Sequence, residues 1–271
     1  MSKGQSKRLS KQHEESGGPK GIFGSNAQTH DDSVNSVSEQ VLTSLKKEYS
    51  YLRFRRRNMI TKKEINEKLS KVDSKLGKTL YVKKARIKPD GGIIEVEDKN
   101  KKWRIILVAE AKYQGKDVEN IKAGIKVGKN KDQDLMVAGN AIERVHKNIN
   151  EIRNAMLAEK HFPYIVFLQG SNFSTETFEV LAPNGRKVKI KHDSGAMNRI
   201  DRVTAANYSM EINKNHCKNI FININEVDIM LQSVSIYTRS NPWEAEEIFK
   251  RMMEIAKTSL CILQQELPDN G

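Results

Sequence analysis

The chain has 271 residues, and its 47 lysine and arginine residues against 34 aspartate and glutamate residues give a formal net charge of +13. Hydrophobic residues make up 37% and charged residues 30%, which excludes fully disordered and collagen-like classes. The length allows one large domain or two small ones. The positive charge suggests a polyanionic partner, and a basic enzyme that binds no polyanion is the equally open alternative.

The cysteine content and the N-terminus bear on the compartment. Cys217 and Cys261 provide neither a disulfide framework nor a pair at zinc-ligand spacing. Residues 1–20 are polar, without the apolar stretch of a signal peptide, and no segment approaches the ~20 apolar residues of a membrane helix. We therefore expect a soluble intracellular protein with no membrane partner.

The N-terminal third is predicted to contain an arm and a helix. Residues 1–30 show little apolar periodicity and, over residues 1–20, more basic than acidic side chains, which predicts a flexible basic arm. Such an arm either wraps an anionic ligand or is a solvated tail, and composition leaves both open. From Ser33 onward, valine and leucine recur at helical spacing and predict a first amphipathic helix.

A capping box predicts the second helix. In Thr61-Lys-Lys-Glu64 the threonine and the glutamate stand three residues apart, which is typical of a helix N-terminus. Ile65, Leu69 and Val72 are expected on the inner face of this helix. A short strand is predicted over residues 80–82.

Two β-branched segments predict a hairpin in the middle of the chain. They cover residues 93–97 and 103–111 and are separated by a polar turn. The second segment is apolar on both alternating faces, with Leu107 on one and Val108 on the other. A strand that is buried on both sides is usually central, with helices covering the sheet.

The later elements alternate between helix and strand. In chain order we predict a helix over residues 135–156 interrupted near Gly139-Asn140, a buried strand over 163–168, a basic hairpin turning at Pro183-Asn-Gly185, a helix over 197–206, a strand over 228–237 and a closing helix over 243–263. This alternation predicts an α/β fold with a mixed central β-sheet flanked by helices.

Two acids and a lysine form a candidate catalytic constellation. Pro89-Asp90 is followed, after 19 intervening residues, by Glu110-Ala111-Lys112 at the polar end of the long strand. Side chains alternate along a strand, so Glu110 and Lys112 project to the same side, and the hairpin can bring Asp90 to the same point. Two hard oxygen ligands suit Mg²⁺, and a lysine beside them suits phosphodiester hydrolysis. The alternative, a charged strand end and an ordinary turn, is equally compatible with the pattern.

Longer motifs show a resemblance to a known family. The chain resembles the EcoRI restriction endonuclease family, within the PD-(D/E)xK nuclease superfamily. The likeness extends in order from about residue 4 to residue 261. Its stretches include Ile87-Lys-Pro-Asp-Gly-Gly92, Val108-Ala-Glu-Ala-Lys112, Asp132-Gln-Asp-Leu-Met136, Ala138-Gly-Asn-Ala-Ile-Glu-Arg144 and His146-Lys-Asn148.

The resemblance implies a fold and an activity. It implies a restriction-endonuclease-like core with extended arms: a single nuclease domain over residues 31–271, its catalytic core over about 80–170 and a basic hairpin arm over about 171–208. It implies a homodimeric type II endonuclease of the bacterial cytoplasm that cuts double-stranded DNA at GAATTC after the G, leaving 5′ overhangs. Mg²⁺ would be the cofactor, and a cognate DNA methyltransferase would protect the host.

The resemblance also assigns roles. Asp90 and Glu110 would bind the metal and Lys112 would be the catalytic lysine. The expected DNA-binding set is Lys88, Met136, Gly139, Asn140, Ala141, Glu143, Arg144, Lys147, Arg199 and Arg202. Asparagine can pair with adenine through two hydrogen bonds. From the residues alone, Asn140 is equally a helix cap, and Arg199 and Arg202 are equally a surface stripe.

Some positions depart from the family pattern, and alternatives to the nuclease exist. Val137 stands where alanine is expected, Asn58 where an acidic residue is expected, and the tail after Cys261 matches poorly. A DNA-binding protein without catalysis on the same scaffold is the main alternative. A nuclease for junctions or damaged DNA is another. The two carboxylates favour catalysis, because without a metal they would repel DNA.

Overall fold

A computed structural model describes residues 25–78, 85–115, 117–125, 139–190 and 211–269, without the side chains of residues 25–27, 139–141 and 172. The helices are α1 (Ser25–Glu48), α2 (Lys62–Val72), α3 (Asp117–Lys122), α4 (Gly139–Ala155) and α5 (Ala245–Leu263), with 3₁₀ turns at Ser171–Phe173 and Gln264–Glu266. The strands are β1 (Phe54–Arg57), β2 (Ile60–Thr61), β3 (Arg86–Ile87), β4 (Gly92–Glu97), β5 (Trp103–Tyr113), β6 (Tyr164–Gln169), β7 (Phe178–Leu181), β8 (Lys187–Ile190), β9 (Ile220–Ile224), β10 (Val227–Leu231) and β11 (Ser235–Arg239).

The central sheet is mixed, which confirms the predicted fold class. Within the described ranges its strand order is β1-β4-β5-β6-β11. The pairs β1–β4 and β4–β5 are antiparallel, whereas β5–β6 and β6–β11 are parallel. The predicted hairpin is therefore present as β4 and β5, and β5 is the middle strand of the sheet.

Helices cover both faces of the sheet, as the apolar pattern of β5 indicated. On one face, α1 and α5 pack on the side that includes Ala109 and Phe167. On the other face, α2 and α4 pack on the side that includes Val108 and Val166. Neighbouring residues of one strand thus enter two separate cores. None of the helices in the described ranges is both long enough and apolar enough to cross a bilayer.

The capping box of α2 is half formed. The backbone N–H of Glu64 donates to the Thr61 hydroxyl at 3.2 Å, as predicted. The Glu64 carboxylate instead accepts two hydrogen bonds from Arg57, at 2.7 and 2.8 Å. Ile65 and Leu69 are buried, but Val72 is 45% exposed, so its predicted inward position is wrong. Val72 is the last residue of the helix, where the chain turns away from the core.

Other predicted boundaries differ from the structure. α1 begins at Ser25 rather than Ser33, so its first turns lie within the stretch predicted as an arm. The strand predicted over residues 228–237 is two strands, because Gln232-Ser-Val234 separates β10 from β11 and the two belong to different sheets. The hairpin at Pro183-Asn-Gly185 is present as β7 and β8. The strand predicted over residues 80–82 and the helix over 197–206 lie outside the described residues.

Candidate active site

The hairpin places Asp90 beside the end of β5. Asp90 immediately precedes Gly91, whose N–H donates to the carbonyl oxygen of Ala109 at 2.9 Å. A Cβ added at Gly91 would lie 2.7 Å from the Cβ of Ala109 and 3.0 Å from a methyl carbon of Val34. Only glycine therefore permits this close approach between the turn, β5 and α1.

The three predicted catalytic side chains converge. The Lys112 ammonium donates to Asp90 Oδ2 at 2.5 Å and lies 2.9 Å from Glu110 Oε1. It also donates to the carbonyl oxygen of Ala111 at 2.7 Å, while the Ala111 N–H donates to Asp90 Oδ2 at 3.3 Å. Strand alternation puts the acid and the lysine on one side, and the antiparallel neighbour supplies the second acid.

Glu110 is a buried carboxylate with its own set of donors. It is 1% exposed, and burial raises its pKa, while Lys112 opposes that shift. Asn148 on α4 donates from its amide nitrogen to both carboxylate oxygens, at 3.0 and 3.1 Å. The Tyr164 hydroxyl on β6 donates to Oε2 at 2.7 Å. Burial and the neighbouring carboxylate raise the pKa of Tyr164, which keeps it a donor.

Lys112 is held in its charged form. Burial works against the ammonium, but Glu110 and Asp90 outweigh it and raise the pKa of Lys112 above its ordinary value. The lysine is therefore an ammonium throughout the neutral range.

The N-terminal end of α1 adds groups that sequence reasoning missed. His30 Nε2 donates to the carbonyl oxygen of Phe167 at 3.1 Å, which anchors α1 beside the ends of β5 and β6. Burial lowers the pKa of His30. Burial, followed by repulsion from Asp90, raises the pKa of Asp31 to about 7. The amphipathic pattern identified the core-facing positions of this helix but gave no sign that its start borders the acids.

The arrangement of oxygens fits a divalent cation. The Lys112 ammonium is itself a cation in contact with Asp90, Glu110 and the Ala111 carbonyl oxygen, so one positive centre can reach all three. These are hard oxygen donors of the kind that Mg²⁺ prefers. In the described part of the chain, no group of three or more histidine, cysteine, aspartate or glutamate side chains is placed to hold a metal. The oxygens of the candidate metal site are instead those of two carboxylates, Asp90 and Glu110, and the main-chain carbonyl oxygen of Ala111.

The predicted DNA-binding residues are described only in part. Lys88, Glu143, Arg144 and Lys147 are exposed. Gly139, Asn140 and Ala141 form the first turn of α4, and only their backbone is described. Met136, Arg199 and Arg202, with Val137, lie outside the described residues. Of the helix predicted over residues 135–156, the structure describes Gly139–Ala155 as α4, and residues 135–138 lie outside the described residues.

Asn148 and Tyr164 are contacts of Glu110 that the sequence analysis missed. Asn148 lies in one of the stretches that carry the family resemblance, and it stands eight residues after Asn140, a helical interval. That spacing could have indicated that Asn148 lies on the same side of the helix as Asn140. Tyr164 gave none, because the alignment of β6 along β5, with Glu110 opposite Val166, is set by tertiary packing.

The fold and the site define a class of protein. A mixed sheet with two carboxylates and a lysine at adjoining strand ends is the core of a PD-(D/E)xK nuclease, an enzyme that hydrolyses phosphodiester bonds.

Comparisons with known proteins identify the family. The family model described as "Restriction endonuclease EcoRI" matches residues 16–270. The chain is 56% identical over 268 residues to "Type II restriction enzyme RsrI" of Cereibacter sphaeroides, covering 99% of this chain and 97% of that protein. It is 54% identical over 267 residues to "Type II restriction enzyme EcoRI" of Escherichia coli, covering 98% and 96%. The chain belongs to the EcoRI family of restriction endonucleases, which are site-specific deoxyribonucleases acting on double-stranded DNA. Nucleases of this kind generally need a divalent metal.

Proposed function

We propose that this restriction endonuclease recognises the palindrome GAATTC and cuts each strand after the G, with Mg²⁺ as its cofactor. The observation that carries the hydrolytic part is the convergence of Asp90, Glu110 and Lys112 at adjoining strand ends. The proposed recognition sequence is supported by the family match over residues 16–270, which includes the motifs of residues 132–148 that carry the resemblance.

The metal would be held by Asp90 and Glu110. When bound, it supplies Lewis acid chemistry, polarising the scissile phosphate and lowering the pKa of a coordinated water. Asn148 and Tyr164 hold the Glu110 carboxylate in place, since their donors face its two oxygens. Tyr164 is fully buried, which keeps water from competing for those oxygens.

Lys112 would act on the attacking water and on the phosphate. As an ammonium it can donate to a water oxygen and to a phosphate oxygen on which negative charge develops. The water attacks phosphorus in line and the bond to the 3′ oxygen breaks, which leaves a 3′ hydroxyl and a 5′ phosphate. The stabilisation of charge is larger here than in water because the site is largely buried.

Base recognition would come from the first turns of α4. Asn140 and Arg144 would contact adenines, and Gly139 and Ala141 would meet the pyrimidine edges. Met136 would enter the major groove with them, and Glu143 would interlock across the dimer. Lys88 and Lys147 would contact DNA near these groups, and Arg199 and Arg202 would support recognition. The exposure of Lys88, Arg144 and Lys147 supports these assignments.

The assembly would be a homodimer in the bacterial cytoplasm, protected by a cognate methyltransferase. A two-fold symmetric protein reads a two-fold symmetric sequence with one set of contacts per half-site. Sedimentation of the metal-free protein with and without DNA tests this, because a monomer in both conditions would contradict the dimer.

Digestion of a sequenced plasmid with Mg²⁺ and mapping of the cut ends test the proposal. We expect cuts at each GAATTC with 5′ overhangs and none without metal. Methylated GAATTC sites are the matched control and should resist. Cuts at another sequence would contradict the specificity, and binding to GAATTC without hydrolysis would favour the catalytically inactive alternative.

A further inference from the structure

Asn148 connects the catalytic acid Glu110 to helix α4. Its amide nitrogen donates to both Glu110 oxygens, at 3.0 and 3.1 Å, and Glu110 is 1% exposed. Solvent therefore cannot replace these donors unless the site opens. The orientation of the Glu110 carboxylate depends on where α4 lies.

The same helix begins with the residues proposed to read the bases. α4 is continuous from Gly139 to Ala155, so positions 140, 144 and 148 recur at four-residue intervals and lie along one stripe. Eight residues of helix span about 12 Å. The short distance and the unbroken helix mean that a shift of the first turn also moves position 148.

The packing of α4 favours movement as one body. Val145, Ile149 and Ile152 are fully buried in the core beneath the helix, and they share it with Val108 and Val166 of the central strands. A close-packed core resists local distortion within the helix, so a displacement is transmitted along it.

We propose that Asn148 is a positioning residue that couples base recognition to the metal-binding orientation of Glu110. This inference rests on the proposed function. With the correct bases in contact, the amide holds both Glu110 oxygens in the arrangement that faces Asp90 and Lys112. With an altered base pair, α4 is displaced, the amide moves away from the carboxylate, and the acid leaves that arrangement.

Tyr164 provides a matched comparison. It donates to the same carboxylate, at 2.7 Å, but it lies on β6 rather than on α4. If Asn148 serves only to hold Glu110, the two residues are equivalent. If Asn148 transmits recognition, its loss reduces discrimination and the loss of the Tyr164 hydroxyl does not.

The test compares Asn148→Ala and Asn148→Leu with Tyr164→Phe. Single-turnover cleavage rates are measured on the cognate site and on sites with one altered base pair, together with metal-free binding to the same DNAs. We expect both Asn148 variants to cut the cognate site about 10–100-fold more slowly, with the altered sites slowed much less. The ratio of the cleavage rate on the cognate site to the rate on the altered sites then falls, while discrimination in metal-free binding stays at the wild-type value. Tyr164→Phe should reduce the cleavage rates on the cognate and the altered sites by the same factor.

Equal slowing of cognate and altered sites by the Asn148 variants would overturn the coupling. Loss of metal-free cognate binding in both variants would also overturn it, because Asn148 would then be a structural residue. The cognate site in this comparison is the sequence at which mapping of the plasmid ends shows that the wild-type enzyme cuts. Wild-type cutting elsewhere than GAATTC contradicts the proposed specificity and leaves this comparison valid, and wild-type failure to cut any DNA contradicts both.

Discussion

Arg56 donates two hydrogen bonds to the carbonyl oxygen of Gly91, from Nε at 3.2 Å and from Nη2 at 3.0 Å. Gly91 directly follows Asp90, so this guanidinium fixes the backbone of the turn that carries the acid. The same guanidinium donates to Glu39 on α1 at 2.8 Å and to Asn58 at 2.8 Å. Asn58, where the sequence analysis expected an acidic residue, is a neutral acceptor for Arg56. This one side chain therefore joins α1, β1 and the turn that carries Asp90.

Replacing Arg56 with leucine should weaken the site more than the fold. We expect a loss of about 1–3 kcal/mol in the free energy of unfolding, since the carbonyl oxygen of the buried Gly91 loses its charged donor. The Mg²⁺ concentration for half-maximal cleavage should rise, because Asp90 is no longer held. Urea unfolding and a magnesium titration of the cleavage rate measure the two effects. Arg53→Leu is the control: Arg53 is 71% exposed and bonds Glu97, away from the turn, so its loss should change neither quantity appreciably. An unchanged magnesium requirement in Arg56→Leu would show that the turn holds without the guanidinium.

Glu110→Gln should abolish cleavage and leave specific binding in the absence of metal. The amide has the size of the carboxylate but lacks the charge that a divalent cation requires. Metal-free binding is measured by gel shift on a GAATTC duplex and cleavage by single-turnover kinetics with Mg²⁺. Glu119→Gln, on α3, is a control that removes a carboxylate bonded to Tyr113 rather than one in the triad. Retained cutting by Glu110→Gln would remove this residue from the ligand set.

The stability of the metal-free protein should depend on the ionisation of Asp31. Burial and then Asp90 raise its folded pKa to about 7, against an ordinary value of 3.8. An acid with a raised folded pKa binds its proton more tightly in the folded state, so the stability it contributes is present at low pH and is lost as the pH rises from about 4 to about 7. Asp31→Asn should therefore melt at a higher temperature than the wild type at pH 8, with a smaller difference at pH 5.

Thermal melts in EDTA at these two pH values measure the effect. Asp32→Asn is the matched control on the same helix, since Asp32 is exposed and accepts a hydrogen bond from Gln28. An Asp31→Asn difference of the same size at pH 5 and pH 8 would contradict the role of ionisation.

Asn140→Ala should reduce discrimination at adenine by about 1–3 kcal/mol, the value of one bidentate base contact. Cleavage ratios on duplexes with single base-pair changes measure this. Asn150→Ala is the control, since Asn150 lies on the same helix but beyond the first turn, beside Arg153. Ratios equal to those of the wild type would refute the base contact by Asn140.

The sequence by itself determined the periodic features. Apolar alternation on both faces of residues 103–111 predicted a central strand covered on both sides, and strand periodicity placed Glu110 and Lys112 together, because these signals depend only on local geometry. The tertiary structure decided everything that joins distant segments. Asn148 and Tyr164 contact Glu110 from positions 38 and 54 residues away along the chain, and Arg56 contacts Gly91 from 35 residues away. No local pattern predicts such pairings, since they follow from how α4 packs on the sheet and how β1 and β6 are placed within it. The division of residues 227–239 into β10 and β11 has the same origin, because strand ends are set by the partners that each strand finds.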